Sequence, residues 1–391
     1  FAIDGGGDAA IGGLRAIVGG RRRCQHDAQP FLVEAAGADI GAIAFVEGRQ
    51  HLRIAKGGGA QRLPPCPGAQ DLSHAAAGVE ARAILPNRHG ARQTTLAREI
   101  LLTGTGVHSG APVSLTLHPA EADTGLRFLV TKRGRVTAEI AASVGNVKNL
   151  TLCTVIGDDA GVTVGTVEHL LAALRGLSID NCYIEIDSKE VPIMDGSSAE
   201  FVEAIDRVGI RELAEPRKYI KVLRPVRVEE GGCWGEIAPH SGFRLDVEID
   251  FESPIIGRQR IAFEMNPGIF RHELSRARTF GFMSDVEKLW KIGLALGADL
   301  TNTIAIGEDK IMNREGLRYE REFVRHKMLD AVGDLSLAGA PLLGAYRSYK
   351  GGHRLNSMVL QALFSDASNW AMVQAPKTRQ TRSPLDRKSV V

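Results

Sequence analysis

The stretch from His326 to Asp330 contains the residues whose types and spacing are best suited to chemistry. Side chains four residues apart project from one face of a helix, so the imidazole of His326 and the carboxylate of Asp330 would lie side by side. Such a pair can hold one metal ion, and neutral imidazole with carboxylate suits zinc. A catalytic zinc site takes three protein ligands, so the chain should supply a third ligand and a base. The pair alone also fits a hydrogen-bonded surface pair.

The segment from Thr166 to Leu174 offers both missing parts. Glu168 and His169 stand in the first turn of a predicted helix whose following residues are apolar, so both should be largely buried. A buried glutamate needs a partner or a function. Taken alone, Glu168 could interact with the helix dipole and His169 could be a hydrogen-bonded core histidine. A site between two domains that unites His169, His326 and Asp330 explains them better.

A further titratable group, His353, follows two glycines ahead of a predicted helix. Glycines there let the backbone approach a ligand closely. Amide hydrolysis needs a base that takes a proton from water and an acid that protonates the departing amine, and Glu168 and His353 could divide this work. The pattern fits a helix-start loop with a solvent-exposed histidine equally well. Asp334, one turn after Asp330, would either orient His353 or face solvent.

The elements that must position these residues are strands and helices that begin at about Thr94. Residues Pro112 to Pro119 alternate apolar and polar side chains, which indicates a half-buried strand. Helices are predicted from Thr166 to Arg175 and from Ser197 to Val208, the second opened by a capping box at Ser197.

Two blocks of the chain share one order of elements, with strands first, then a histidine-bearing helix, a strand and a last helix. This order predicts an α+β fold of two similar domains, each a β-sheet packed with helices, with the active site between them. The predicted ranges are residues 93–215 for the first domain, 216–372 for the second, and about 281–306 for a small βαβ-like insertion in the second. Within the insertion, a predicted helix from Ser284 to Lys291 places Val286, Leu289 and Trp290 on one apolar side.

The first part of the chain differs in composition from the rest. Residues 1–92 hold 16 of the 44 glycines, a single lysine and no threonine, tyrosine, tryptophan or methionine. This range is predicted to be a low-complexity extension that is disordered or mis-translated, because the first methionine of the chain is Met194. A divergent, flexible tail is predicted at residues 373–391.

Composition also limits the class of protein. The formal net charge of +2 with mixed signs excludes a polybasic nucleic-acid surface, and Arg276, Arg278, Lys288 and Lys291 are interpreted as a solvated face. No apolar run approaches the roughly 20 residues of a membrane span. The five cysteines lack CxxC spacing, which fits a reducing cytoplasm. We expect a cytoplasmic monomer that acts on a small molecule, with no nucleic-acid partner.

Five segments together resemble one family. They are Thr166–Leu174 (TVEHLLAAL), Val191–Gly196 (VPIMDG), Arg278–Phe282 (RTFGF), Glu322–Leu335 (EFVRHKMLDAVGDL) and Gly352–Asn356 (GHRLN). In collinear order they resemble UDP-3-O-acyl-N-acetylglucosamine deacetylase, the zinc enzyme of the committed step in lipid A synthesis in Gram-negative bacteria. The resemblance runs from about Thr94 to Trp370.

The resemblance implies a role for each motif residue. It implies zinc-assisted hydrolysis of an N-acetyl group, which releases acetate and leaves a free amine. The implied roles are zinc ligands at His169, His326 and Asp330; a general base at Glu168; a protonated partner at His353 with Asp334 behind it; a hydrogen bond from Thr279 to the tetrahedral intermediate; and sugar-nucleotide contacts from Phe280 and Lys327. The insertion would form a passage for the fatty acyl chain.

Two other functions compete with this one. A zinc amidohydrolase that acts on another acylated amino sugar would keep the metal site but would not need the apolar face of the insertion. A non-catalytic sugar-nucleotide binding protein would be expected to lack the base or a ligand, and this chain has both.

Overall fold

The computed structural model of this chain describes residues 92–375. The predicted extension and tail therefore lie outside the described residues, except that Arg92 opens the first strand and residues 373–374 end the last. The strands, in chain order, are β1 (Arg92–Leu96), β2 (Ile100–Thr105), β3 (Pro112–Pro119), β4 (Leu126–Lys132), β5 (Arg135–Ala141), β6 (Val147–Asn149), β7 (Val155–Gly157), β8 (Thr163–Val164), β9 (Cys182–Ile186), β10 (Ile210–Pro216), β11 (Lys218–Val222), β12 (Val226–Glu230), β13 (Cys233–Ala238), β14 (Phe243–Asp250), β15 (Arg258–Glu264), β16 (Phe280–Phe282), β17 (Ile304–Ile306), β18 (Leu342–Tyr349) and β19 (Trp370–Gln374).

Helices connect several of these strands. They are α1 (Glu168–Gly176), α2 (Ala199–Val208), α3 (Pro267–Ile269), α4 (Met283–Lys291), α5 (Glu322–Leu335) and α6 (His353–Phe364). A π-helical turn, Phe270–Leu274, continues α3, and short 3-10 turns occur at Val144–Asn146, Ser336–Ala338 and Ala367–Asn369. Among the described residues, no helix combines the length and apolar character needed to cross a bilayer.

Two sheets have the same topology. The first has the strand order β2-β3-β9-β4-β5, in which only β9 and β4 are parallel neighbours. In the second, β12, β13, β18, β14 and β15 pair in the same order, and again only one pair, β18 with β14, is parallel. The start of β18 also pairs with β11, which pairs with β19. The predicted α+β fold is confirmed.

The strand pattern follows from side-chain alternation. In β3 the apolar Val113, Leu115 and Leu117 are buried, while the polar residues between them are partly exposed. Because successive side chains of a strand point to opposite faces, this strand presents one face to the core. The alternating pattern therefore predicted this strand correctly.

The helices carry the functional side chains into the interior. Helix α5 packs against α1, α6 and β14, and of its 14 residues only Arg325 and Lys327 are not buried. A helix enclosed on all sides must bury its polar residues too, so those residues need partners.

Two local predictions were wrong. The predicted capping box at Ser197 does not form at the N-terminus of α2. Instead the Ser197 hydroxyl donates to Asp195 (2.7 Å) and accepts from the backbone amide of Ala199 (3.1 Å), and Ser198 precedes the helix without a side-chain cap. Arg278, interpreted as solvated, is only 1% exposed, because its guanidinium pairs with the buried Glu322 at the start of α5 (Nε to Oε1, 3.0 Å).

The segment that was predicted to be an insertion contains a small parallel unit. Strands β16 and β17 pair in parallel through Phe280 with Ile304 and Phe282 with Ile306, and the chain between them contains α4. Parallel strands need a crossover connection, and a helix commonly supplies it. Several apolar side chains between the two strands are exposed, including Trp290 (49%) and Ile292 (70%).

Candidate active site

One imidazole and two carboxylate side chains form a stripe along α5. His326, Asp330 and Asp334 are spaced four residues apart, and all three are buried. The Nε2 atom of His326 lies 3.4 Å from Oδ1 of Asp330, which is the neighbour relation that the spacing predicted.

Helix α1 brings the third predicted ligand to the stripe. The Nε2 atom of His169 lies 3.5 Å from the same Oδ1 of Asp330, and the two imidazole rings meet edge to face with centroids 5.0 Å apart. One ligand atom from each of His169, His326 and Asp330 lies within 4.8 Å of the others. Such a group can hold a metal ion.

A glycine permits this approach of the two helices. A Cβ atom at Gly333 would lie 2.0 Å from the backbone oxygen of Glu168, so no other residue fits without moving α5 away from α1. The close packing places Glu168 and His169, at the start of α1, beside the stripe on α5.

The protonation states suit a cation. The Nδ1 atom of His326 lies 3.0 Å from the carbonyl oxygen of Ala277, so Nδ1–H donates there and Nε2 keeps its lone pair. Burial lowers the pKa of His326 to about 3, which keeps the ring neutral. Burial opposes ionisation of Asp330, but His326 and Lys327 outweigh it and hold the pKa of Asp330 well below its usual range.

Two buried atoms of this group lack partners. Within residues 92–375, neither Oδ1 of Asp330 nor Nδ1 of His169 has a hydrogen-bond partner. A buried carboxylate oxygen without a hydrogen-bond partner costs free energy unless a positively charged group lies next to it. The three side chains therefore fit a divalent cation.

Glu168 and His353 lie together beside this group. Oε1 of Glu168 is 3.8 Å from Nε2 of His353, while Oε2 accepts a hydrogen bond from the backbone amide of Thr154 (3.1 Å). Burial raises the pKa of Glu168, and the adjacent His353 and His169 limit that rise. Burial opposes protonation of His353, but the carboxylates of Asp334 and Glu168 outweigh it and raise its pKa to about 9. Near neutral pH, His353 is therefore an imidazolium.

Asp334 faces His353 and not solvent. Its Oδ2 lies 2.8 Å from Nδ1 of His353 and accepts a second hydrogen bond from Nδ2 of Asn356 (2.8 Å). Its Oδ1 accepts from the hydroxyl of Thr154 (2.6 Å), and the hydroxyl of Tyr346 donates to Oδ1 of Asn356 (2.5 Å). Of the two predicted alternatives for Asp334, the structure shows contact with His353 and not exposure to solvent.

Three of these neighbours were not predicted. Asn356 stands three residues after His353 on α6, a helical spacing that could have identified it. Thr154 and Tyr346 lie in segments that carry no such signal, and only the fold brings them to Asp334.

The predicted substrate contacts surround the same group. The ring of Phe280 meets His326 edge to face at 6.2 Å, and the ammonium of Lys327 lies 5.7 Å from that ring. Lys327 also donates to Oδ2 of Asp330 (3.0 Å). Thr279 precedes β16, and its main chain bonds to Gly196 and Ile304 (both 2.8 Å). The structure thus brings eight of the nine predicted residues into two groups of contacts that meet at the neighbours Glu168 and His169 in α1. Thr279 lies next to Phe280 in the chain.

The fold and the site together define a class of protein. An α+β chain with a buried cluster of two imidazoles and a carboxylate, beside a glutamate and an imidazolium, has the donor set of a metalloenzyme. The family model of LpxC, UDP-3-O-acyl N-acetylglycosamine deacetylase, matches residues 93–365. This chain belongs to that family, whose members are hydrolases that act on an amide bond.

Curated relatives agree with the family match. Proteins of Brucella ovis, Brucella canis and Brucella abortus, each named UDP-3-O-acyl-N-acetylglucosamine deacetylase, are 51% identical to this chain over 288 residues. The aligned part covers 73% of this chain and 99% of each relative. The predicted resemblance is confirmed.

Proposed function

We propose that this protein hydrolyses the N-acetyl group of UDP-3-O-acyl-N-acetylglucosamine, releases acetate and leaves UDP-3-O-acyl-glucosamine, in the committed step of lipid A biosynthesis. The observation that carries the proposal is the buried group of His169, His326 and Asp330 beside Glu168 and His353. Family membership and the names of the relatives support the substrate.

We propose zinc as the metal of this group. The donor set of two neutral imidazoles and one carboxylate is that of catalytic zinc sites with three protein ligands. A bound zinc ion supplies Lewis-acid polarisation of a carbonyl and lowers the pKa of water. The hydrogen bond from His326 to Ala277 and the ionised state of Asp330 support both side chains as ligands.

Glu168 is the general base of the proposed reaction. Its Oε2 is fixed by the amide of Thr154, so Oε1 is left toward His353, and the next residue in α1 is His169 of the metal group. Because burial raises the pKa of this carboxylate, it holds a proton more firmly than an exposed glutamate would. It can therefore take the proton that water loses when its oxygen attacks the acetyl carbon.

His353 is the proposed acid. It is protonated at neutral pH, and the pair with Asp334 fixes Nδ1 so that Nε2–H points away from Asp334 and toward Glu168. An imidazolium there can stabilise negative charge on the acetyl oxygen and then protonate the departing amine. Asp334 keeps His353 charged and oriented, and Thr154 and Asn356 keep Asp334 in place.

The remaining residues are proposed to bind substrate. Thr279 would hydrogen-bond the tetrahedral intermediate, while Phe280 and Lys327 would contact the sugar nucleotide. Lys327 is well placed because its ammonium already lies at the edge of the metal group, where it can meet a phosphate. The partly exposed apolar side chains of the insertion would accept the acyl chain.

The test is an acetate-release assay that compares acylated with non-acylated UDP-N-acetylglucosamine. The metal-loaded protein should release acetate from the acylated substrate with the higher kcat/KM, and chelation should abolish release. Equal kcat/KM for both substrates would favour the amidohydrolase that acts on another amino sugar. Full activity of a metal-stripped preparation would refute the proposed mechanism, and no turnover of either substrate would favour a binding protein. Cytoplasmic location and a monomeric state stay predictions.

A further inference from the structure

A cavity lies at the end of α1 that is opposite to Glu168. Its volume is about 330 Å³. Much of its wall is apolar and comes from the end of α5 (Val332 and Leu335), the start of β14 (Phe243), the turn before α3 (Met265) and the start of β18 (Leu342). Since α1 rises about 1.5 Å per residue, Arg175 at the cavity lies roughly 10 Å along the helix from Glu168. The cavity is therefore separate from the metal group.

Arg175 lines this cavity with its side chain only 8% exposed. Its Nη1 atom forms an ion pair with Oδ1 of Asp180 at 3.6 Å, which is beyond hydrogen-bond distance. Within residues 92–375, Nε and Nη1 have no hydrogen-bond partner. A guanidinium has five N–H donors, and leaving them unpaired in the interior is costly.

Arg175 shares its aspartate with a second arginine. Asp180 also pairs with Arg217, which donates from Nε (2.8 Å) and lies 2.7 Å away through Nη2. One carboxylate therefore serves two guanidiniums. Burial, and then the charge of Arg217, lower the pKa of Arg175 to about 10, so it stays charged at neutral pH. Arg175 and Arg217 are the only charged side chains among the described residues that line the cavity.

The carbonyl groups at the end of α1 do not offer the missing partner. Those of Ala173, Leu174 and Arg175 accept hydrogen bonds from the backbone amides that follow the helix. Each of these carbonyl groups therefore already has a backbone donor.

We propose that this cavity binds a small amphipathic monoanion, namely a carboxylate that carries a short apolar chain. The planar fork of a guanidinium matches a carboxylate in two parallel hydrogen bonds. A carboxylate brings one negative charge to the one guanidinium, Arg175, whose Nε and Nη1 lack hydrogen-bond partners within residues 92–375, whereas a phosphate dianion would bury a second negative charge. The apolar wall would hold the chain, and Ser178 and Ser241 also line the cavity. This site is additional to the proposed deacetylation and does not depend on it.

The experiment titrates the full chain, loaded with metal, with hexanoate in an isothermal calorimeter. Hexanoate should bind with millimolar or better affinity, and 1-hexanol should bind at least about tenfold more weakly, because it lacks the charge. Arg175→Met keeps the bulk of the side chain and should weaken hexanoate binding by about tenfold or more. Arg224→Met is the matched control. It removes an exposed guanidinium that donates to the hydroxyl of Ser368, and it should bind hexanoate as the unchanged protein does.

A second variant tests the location of the hexanoate site without removing either arginine. Ala340 lines the cavity, and Ala340→Phe should fill it and abolish binding while both arginines remain. This variant decides the matter if Arg175→Met does not fold. Unchanged hexanoate binding in Ala340→Phe would place the anion elsewhere, for example at the metal. Equal affinity for hexanoate and 1-hexanol, unchanged affinity in a folded Arg175→Met protein, or no hexanoate binding to the unchanged protein would each overturn the proposal.

Discussion

Gly333 offers the sharpest test of how the two helices build the site. In Gly333→Ala, the new Cβ would start 2.0 Å from the backbone oxygen of Glu168, and ordinary contact begins at 3.4 Å. The helices must therefore separate by about 1.4 Å, since a backbone oxygen cannot rotate away as a side chain can. Overpacking of this kind costs about 1–3 kcal/mol of unfolding free energy.

The helix propensity of alanine works in the opposite direction. Alanine in a helix interior is favoured over glycine by about 0.5–1 kcal/mol, which is smaller than the overpacking cost. We expect Gly333→Ala to be destabilised by about 1–2 kcal/mol in chemical denaturation. A misplacement of about 1 Å can cost roughly 100-fold in rate, so kcat/KM for acetate release should fall by about that factor, and metal affinity should fall with it.

The control for this variant is Gly145→Ala. A Cβ at Gly145 meets nothing within 4 Å, so this variant should keep the stability, metal content and kcat/KM of the unchanged protein. If Gly333→Ala retained the metal and the kcat/KM of the unchanged protein, the close approach of α1 and α5 would not be what positions the site.

Three further predictions concern the proposed roles. Glu168→Ala should keep its metal, measured by atomic absorption, while kcat falls by roughly 100- to 10,000-fold, because only the base is removed. Asp330→Ala should lose the metal itself, because a carboxylate ligand is removed and the two imidazoles remain; a stoichiometric metal content would contradict this role. For pH, His353 is protonated below its pKa of about 9, so kcat should decline as pH rises through about 9. Asp334→Asn removes the carboxylate that raises this pKa, so the decline should begin at lower pH, whereas an unmoved profile would show that His353 is not the acid.

Local spacing was enough to predict part of the site. His326, Asp330 and Asp334 share a face because a helix repeats about every four residues, and no tertiary information is needed for that. The same holds for the buried strand β3, whose alternation of apolar and polar residues was read correctly. Asn356, one turn from His353, belongs to this class too, although it was not predicted.

Other residues depend on contacts that no local pattern contains. Thr154 meets Asp334 across 180 residues of sequence, and it links the proposed base to the carboxylate behind the proposed acid. Arg278 was misinterpreted because arginine is usually exposed, whereas its partner Glu322 lies 44 residues away and is itself buried. The predicted cap at Ser197 failed because α2 begins at Ala199 with Ser198 before it, so the Ser197 hydroxyl lies one residue too early to cap the helix and accepts from Ala199 instead.

The sequence by itself determined the stripe on α5, the α+β class and the family, because periodicity and motif order are local properties of the chain. Only the tertiary structure decided that His169 meets this stripe, since Gly333 allows α1 to approach α5 closely enough. It also decided that Asp334 faces His353 and that Arg175 is left at a cavity with too few partners. Helical spacing sets the direction of a side chain within its own element, whereas the neighbour that it meets depends on how the elements pack.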